Sequence, residues 1–191
     1  MLKGIRCETA KCPMERQWRN MPPGMHAWRR GRGSAYGLRL REKQKVKRYY
    51  GLFEKQFRRV FNQAARTTGR TGEILLSLLE RRLDNVVCKL GFAMSRKSAR
   101  VMIVHGHVHV NDRKVDRPSY AVREGDRVSI KPSERSRKMV RELLSSDAAG
   151  GVQPWLQLDA QNLIGTVVAL PTRDDVQIPV EEQLIVELCS R

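Results

Sequence analysis

Apolar side chains recur at helical spacing between residues 38 and 66. The run LRLREKQKVKRYYG is rich in good helix formers and stops at Gly51, a residue type that suits a helix C-terminus. A second set of apolar positions then recurs at three- and four-residue steps and predicts another helix, ending near Arg66. These positions are Leu52, Phe53, Phe57, Val60, Phe61 and Ala64. The opposite, polar side of that helix carries Lys55, Arg58, Arg59 and Arg66.

The run EILLSLLERRLDNVVCKL, residues 73–90, is apolar mostly on one side and predicts one long helix. Thr71 is the expected N-cap and Gly91 the expected stop. Ser95 is expected to cap a shorter helix over residues 96–105, which Gly106 ends.

From residue 107 onward the pattern changes to short apolar runs separated by turn residues, which predicts strands. The predicted strands are 107–111, 113–115, 119–122, 127–131, 155–159 and 164–170, with turns at Asn111-Asp112 and at 124–126. A helix is predicted at about 133–144. The last segment, 180–191, has Val180, Leu184 and Leu188 four apart and favours a helix, although Leu184, Val186 and Leu188 fit a strand nearly as well.

Residues 1–37 have no such pattern, because three prolines and five glycines interrupt both helix and strand. We interpret this stretch as a basic arm that becomes ordered on RNA. Its side chains suited to phosphate contact and base stacking are Arg29, Arg30 and Arg32, with Trp28 and Tyr36.

The net charge of the 191 residues is +17, and it is unevenly distributed. Residues 1–70 hold 19 basic and 4 acidic residues, residues 71–140 hold 15 and 8, and residues 141–191 hold 3 and 8. Such a surplus repels itself unless a polyanion neutralises it, so a nucleic-acid partner is expected for the first two thirds. The sequence has no apolar run long enough for a membrane span and no pattern of a secretory signal, so we expect no membrane partner.

Lysine and arginine residues are spread along the segment 81–131, where two short predicted helices lead into a small predicted sheet. Arg96 and Arg100 are four residues apart and therefore share one helix face. Arg96 and Lys97 also lie in a first helical turn, where free backbone amides attract phosphate. The turn at Asn111-Asp112 places Arg113 and Lys114 at the tip of a hairpin.

The segment RRLDNVVCKLGFAMSRKSARVMIVHGHVHVNDRKVDRPSYAVREGDRVSIK resembles the small RNA-binding module named after ribosomal protein four of the small subunit. Upstream, YGLRLREKQKVKRYYGLFEKQFRRVF, and downstream, PWLQLD and PVEEQLIVELCSR, resemble the bacterial-type family of that ribosomal protein. The resemblance runs from about residue 2 to residue 191.

This resemblance implies an α+β fold with a basic N-terminal arm, a helical domain, and an inserted RNA-binding domain of short helices with a small antiparallel sheet. The expected boundaries are 1–37 for the arm, 38–80 plus about 178–191 for the helical domain, and 81–177 for the insertion. The RNA-binding module itself is expected at about 81–145.

The resemblance also implies a structural, non-enzymatic role in the small ribosomal subunit. A family member binds a helix junction in the 5′ domain of the ribosomal RNA early and nucleates assembly. Together with ribosomal protein five, and near the messenger RNA, it bears on translational accuracy. Because the resemblance is to the bacterial-type family, we expect the protein in the cytoplasm of a bacterium rather than in an organelle. The alternative is an RNA-modifying enzyme or ribosome-rescue factor built on the same module, but no nucleotide-binding, hydrolase or metalloprotease motif is present.

Charge and resemblance together indicate a set of RNA-binding residues. They are Arg29, Arg30, Arg32, Arg39, Lys43, Lys45, Lys47, Arg58, Arg82, Lys89, Arg96, Lys97, Arg100, His105, Arg113 and Lys114.

Cys7 and Cys12 are weak candidates for a metal site. The stretch KGIRCETAKCPMER resembles the second half of a four-cysteine zinc site found in many bacterial members of the family. Two thiolates cannot complete a tetrahedral structural site, so we expect no cofactor unless further cysteines lie upstream of Met1. The alternating His105, His107 and His109 lack further ligands at suitable spacing, and we interpret them as turn and strand residues beside RNA.

Overall fold

The computed structural model describes residues 9, 10, 12, 16, 21, 24–26, 33–145 and 152–190. Within these residues the helices are α1 (Ala35–Tyr49), α2 (Glu54–Arg66), α3 (Thr71–Glu80), α4 (Leu83–Lys89), α5 (Arg96–Val104), α6 (Glu134–Ser145) and α7 (Glu182–Cys189). The strands are β1 (Val108–Val110), β2 (Arg113–Lys114), β3 (Arg127–Ile130), β4 (Leu156–Asp159) and β5 (Ile164–Val167). Most of the predicted arm, with Arg29, Arg30, Arg32 and Cys7, lies outside the described residues. None of the described helices could cross a membrane.

Helices α1, α2, α5 and α6 confirm the sequence prediction to within a few residues. The segment between α1 and α2 turns at Gly51, whose φ of +64° lies in the left-handed region that favours glycine. Ser95 caps α5 as predicted, because its hydroxyl accepts the backbone N–H of Ser98 at 3.3 Å. The terminal segment forms the helix α7, so its alternative assignment as a strand is wrong.

The prediction of one helix over residues 73–90 is wrong, because the helix is interrupted between α3 and α4. Arg82 adopts extended backbone angles and forms an isolated bridge with Ala121. The Arg81 carbonyl accepts the N–H of Val122 at 2.9 Å, and the N–H of Leu83 donates to the Tyr120 carbonyl at 2.8 Å. Pairing with a distant segment therefore replaces helical hydrogen bonds at this point, which local periodicity does not reveal.

The same pairing limits the strand predicted over 119–122 to a single bridge residue, Ala121. The predicted N-cap of α3 is also wrong by one position. Thr71 is the first helical residue, and the cap position is Arg70, which makes no side-chain capping bond.

The five strands form one antiparallel sheet in the order β2-β1-β3-β5-β4. The β1–β2 hairpin turns through Asn111 and Asp112, with φ values of +50° and +62°, as a tight two-residue hairpin requires. Asn111 also ties the turn to the next strand, since its side chain accepts the N–H of Arg127 at 2.9 Å and donates to Asp126 at 2.8 Å.

Buried apolar residues form two clusters. The sheet core lies between the sheet and α4, α5 and α6, and its largest members include Leu83, Leu90, Phe92, Ile103, Trp155 and Leu163. The helical core gathers α1, α2, α3 and α7, and it includes Tyr50, Phe57, Phe61, Leu75, Leu79 and Ile185. Val176, Ile178 and Val180 also belong to the helical core, so the chain returns to it after the sheet.

Gly165 in β5 lets α4 approach the sheet closely. A Cβ built on Gly165 would lie 2.6 Å from Cδ2 and 3.0 Å from Cγ of Leu90, which is buried at the end of α4. We expect Gly165→Ala to lower the free energy of unfolding by about 1–3 kcal/mol, because an added methyl group overpacks this contact. Urea unfolding followed by circular dichroism measures the loss.

Gly33→Ala is the matched control, because a Cβ there would meet only Leu38 at 4.0 Å. A double variant, Gly165→Ala with Leu90→Val, should recover part of the lost stability. Equal unfolding midpoints for Gly165→Ala and the wild type would contradict the close approach.

Candidate nucleic-acid interface

Helix α2 presents a free cationic face. Phe57, Phe61 and Ala64 on one side are buried in the helical core. On the other side a shallow groove of about 620 Å³ is lined by Lys55, Arg58, Arg59, Asn62, Gln63, Arg66 and Thr67. We call its four cations, Lys55, Arg58, Arg59 and Arg66, the α2 stripe. All four are exposed, and none forms an ion pair with another described residue.

The predicted cations of α1 are, in contrast, paired with carboxylates. Arg39 Nε lies 2.7 Å from Glu187 of α7, and Lys45 Nζ lies 2.6 Å from Glu42. The remaining two, Lys43 and Lys47, both contact Glu54, at 2.6 and 3.1 Å. The hydrogen bond from Lys43, supported by Lys47, lowers the pKa of Glu54 from its ordinary value. Sequence alone does not separate these paired cations from the free ones, and their RNA-binding role stays a prediction.

Asp84 organises the junction between the two cores. Its carboxylate accepts two hydrogen bonds from the buried Arg82, at 3.1 and 2.8 Å. It also accepts hydrogen bonds from Nη2 and Nε of Arg100, at 2.7 and 3.2 Å. The Arg100 guanidinium donates further to the carbonyls of Gly51 and Tyr50, at 3.0 and 3.3 Å. One guanidinium therefore links α5 of the sheet core to the α1–α2 turn of the helical core.

A second buried network runs alongside this link. The Tyr50 hydroxyl and the Asn85 amide donate to the two oxygens of the buried Glu80 carboxylate, each at 2.5 Å. The side-chain oxygen of Asn85, Oδ1, then accepts a hydrogen bond from Arg96 Nε at 2.7 Å, and the Arg96 guanidinium lies 3.9 Å from the ring centroid of Tyr49. Burial, followed by the charge of Glu80, raises the pKa of Tyr50 well above its ordinary value.

A cleft of about 410 Å³ opens between the α1–α2 turn and α5, and Tyr50, Arg96 and Arg100 of these networks line it. We call it the inter-core cleft. Its walls include Lys47, Arg48, Tyr49, Phe53, Arg96 and Lys97. Arg48 and Lys97 are exposed, and Phe53 has 78% of its surface accessible. The cleft thus combines cations with an aromatic face, the two features that bind nucleic-acid phosphates and bases.

The other predicted residues lie apart from this cleft. Arg113 and Lys114 form β2 and are exposed directly after the hairpin turn, as predicted. His105 is exposed after α5, with its ring 6.3 Å from that of His107. Lys89 donates to Gln177 Oε1 at 2.6 Å, and burial lowers its pKa.

Sequence reasoning missed part of the exposed cationic surface. Arg48 and Phe53 border the inter-core cleft but were not among the predicted contacts. Helix α6 presents four exposed cations, Arg135, Arg137, Lys138 and Arg141. The spacing of Arg137 and Arg141, four residues apart on an amphipathic helix, was the available signal for α6.

No group of three or more His, Cys, Asp or Glu residues able to hold a metal occurs among the described residues. Cys12 is buried, while its predicted companion Cys7 lies outside the described part of the chain. Cys88 and Cys189 are half-buried free thiols, and burial raises the pKa of each. A raised pKa keeps a thiol protonated and unreactive.

Comparison with known proteins identifies relatives along the whole chain. Residues 1–80 match the family model of the Ribosomal protein S4/S9 N-terminal domain, and residues 81–128 match the S4 domain. The small ribosomal subunit protein uS4 of Halothermothrix orenii is 52% identical over 190 residues, covering 100% of this chain and 90% of the relative. The protein of the same name from Thermus thermophilus is 49% identical over 191 residues, with the same coverage.

The buried Asp84 carboxylate is expected to hold the junction together. Asp84→Asn keeps the side-chain volume but leaves Arg82 and Arg100 without their counter-charge. Removing one partner of a buried ion pair costs about 3–5 kcal/mol, so urea unfolding should shift to much lower concentration. Asp112→Asn, at an exposed turn position with positive φ, is the control and should stay within about 0.5 kcal/mol of the wild type. Equal stability of Asp84→Asn and Asp112→Asn would contradict this role.

The raised pKa of Tyr50 predicts a specific alkaline instability. The folded protein holds the phenol proton more tightly than the unfolded chain, so this stability is present below about pH 10 and is lost as the pH rises toward the folded pKa. Between about pH 10 and the folded pKa, the free energy of unfolding should fall by up to about 1.4 kcal/mol per pH unit. Tyr50→Phe should flatten this slope, and unfolding titrations at several alkaline pH values measure it.

Tyr50→Phe should also cost about 1–3 kcal/mol at neutral pH, because Glu80 loses a buried donor. Tyr36→Phe is the matched control, since Tyr36 is 63% exposed. The prediction fails if Tyr36→Phe flattens the alkaline slope as much as Tyr50→Phe does.

Proposed function

Because this chain belongs to the small ribosomal subunit protein uS4 family, we propose that it binds the RNA of the small subunit through its exposed, unpaired cations. Family membership makes the chain a structural constituent of the small ribosomal subunit and not an enzyme. The alternative of an RNA-modifying enzyme or rescue factor on the same module is therefore wrong.

The α2 stripe is the observation that carries the proposal. Its four cations extend over about 17 Å at 1.5 Å per residue, so they can follow several consecutive phosphates. They form no ion pair with another described residue, whereas Arg39, Lys43, Lys45 and Lys47 on α1 already have carboxylate partners. Unpaired cations gain most from phosphate, because binding releases counterions from the RNA without breaking an internal ion pair.

The finer proposal is that the RNA site is a helix junction of the 5′ domain, bound early in assembly. The supporting feature is the arrangement of cations on both cores, on α2, α5, α6 and β2. Helices that diverge from a junction offer phosphates in several directions, and a pair of linked cationic surfaces suits that geometry better than a single duplex does.

The acidic C-terminal segment, residues 141–191, supports a different kind of neighbour. Exposed carboxylates there include Asp159, Asp174 and Glu181. These carboxylates carry the same negative charge as RNA phosphates and repel them, so this side of the protein is proposed to face ribosomal protein five. Messenger RNA is proposed to pass nearby, and through these neighbours the protein is proposed to bear on translational accuracy. The proposed location is the cytoplasm of a bacterium, within the small subunit, and the proposal requires no metal or other cofactor.

Arg58→Gln tests the α2 stripe. Filter binding of the full chain to a 5′-domain transcript should show weaker binding, because one phosphate contact is lost. The slope of log K against log salt concentration should fall in magnitude by about one. The circular dichroism spectrum should not change, since Arg58 is exposed.

Arg70→Gln is the matched control, since it removes the same charge from a side chain that is 85% exposed but paired with Glu73. This variant should retain most of the affinity and the salt slope. An equal loss from both variants would mean that net charge alone, rather than the α2 stripe, governs binding. Absence of wild-type binding at low salt would overturn the proposed function itself.

A further inference from the structure

We propose that the inter-core cleft binds one unpaired RNA nucleotide, with its base stacked on Phe53 and its phosphate against Arg48 and Lys97. This inference rests on the proposed function and specifies the form of RNA that the cleft takes. The α2 stripe, a long open row of cations, suits a continuous backbone, whereas the cleft is short and walled on both sides.

Phe53 is a mostly exposed aromatic residue at the start of α2. It is the N-cap of α2, where Ser, Thr, Asp or Asn would stabilise the helix, and it makes no side-chain capping bond. Its neighbour Leu52 is buried, but Phe53 is 78% exposed. An apolar ring held in water at the rim of a cationic cleft is the arrangement that stacks on an unpaired base.

Phe53 is also the aromatic ring of the cleft that is left available. The Tyr49 ring has Arg96 over it at 3.9 Å, and the edge-to-face contact with Tyr50 at 5.0 Å restricts it further. Tyr50 itself is buried, with its hydroxyl bonded to Glu80. The base therefore stacks on Phe53 rather than on either tyrosine.

The cations of the cleft divide into fixed and free ones. Arg96 is held by Asn85, and Arg100 by Asp84 and two backbone carbonyls, so both contribute positive charge from fixed positions. Arg48 and Lys97 are exposed and form no ion pair with any described residue, so both are available to a phosphate. Because Arg100 pins the turn that carries Phe53, the cleft is formed before RNA binds.

The size of the cleft argues for one nucleotide. Its volume of about 410 Å³ lies in the range of pockets that enclose a small ligand. A duplex cannot enter such a space, because its bases are paired and stacked inside the helix. A bulged or looped-out nucleotide presents a free base and a flexible phosphate together, which matches the ring and the two exposed cations.

The test compares two blunt-ended RNA duplexes that differ by one bulged nucleotide, bound to the full-length protein at the same salt concentration. The wild type should bind the bulged duplex about tenfold more tightly than the fully paired one, as expected for one stacked base. Phe53→Ala should abolish this preference and leave binding to the paired duplex unchanged. Phe53→Tyr should retain the preference, because the ring is kept.

Val104→Ala is the matched control, since Val104 is 57% exposed on α5 but does not line the cleft, and it should keep the wild-type preference. Equal wild-type affinities for the two duplexes would overturn the nucleotide site while leaving the proposed RNA binding intact. A loss of both affinities in Phe53→Ala would also overturn it, because that result indicates a general effect on the protein. Failure of the wild type to bind either duplex would reject the proposed function as well.

Discussion

Two buried carboxylates at the junction of the cores are the constraint on which the rest of the structure depends. Asp84 and Glu80 have almost no accessible surface, and a buried charge without partners would cost far more than the fold can supply. Each is therefore surrounded by donors, Arg82 and Arg100 around Asp84, and Tyr50 and Asn85 around Glu80. Since these donors come from both cores, satisfying the carboxylates also fixes how the cores meet.

Contacts inside the protein, at this junction and elsewhere, leave only some of the cations available for RNA. A formal charge of +17 suggests that every lysine and arginine is available, yet many of those described are held by carboxylates, carbonyls or amides. Free cations remain on the outer face of α2, on β2 and α6, and at the rim of the inter-core cleft. The paired cations on α1 connect it to α2 and α7, whereas the free ones give the surface its affinity for a polyanion.

Local patterns predicted most helices and the hairpin, because periodicity, glycine stops and turn residues act over a few neighbours. They failed between Arg81 and Arg82, where hydrogen bonds to residues 120–122 interrupt an otherwise continuous apolar helix pattern. The prediction of the candidate site from local patterns was limited in the same way. Charge identified the cations, but the partner of Arg39 lies 148 positions away, and no spacing rule reveals such a pair.

Several separate connections hold the two cores in a fixed orientation relative to each other. The chain passes from α3 into the sheet core at Arg82 and returns to the helical core at Val176. Arg100 adds a non-covalent link to the α1–α2 turn, and Lys89 adds another to Gln177. Because these links join protein groups to each other, they hold the cations of both cores in place independently of RNA. Less conformational entropy is then lost on binding, so more of the phosphate interaction appears as affinity.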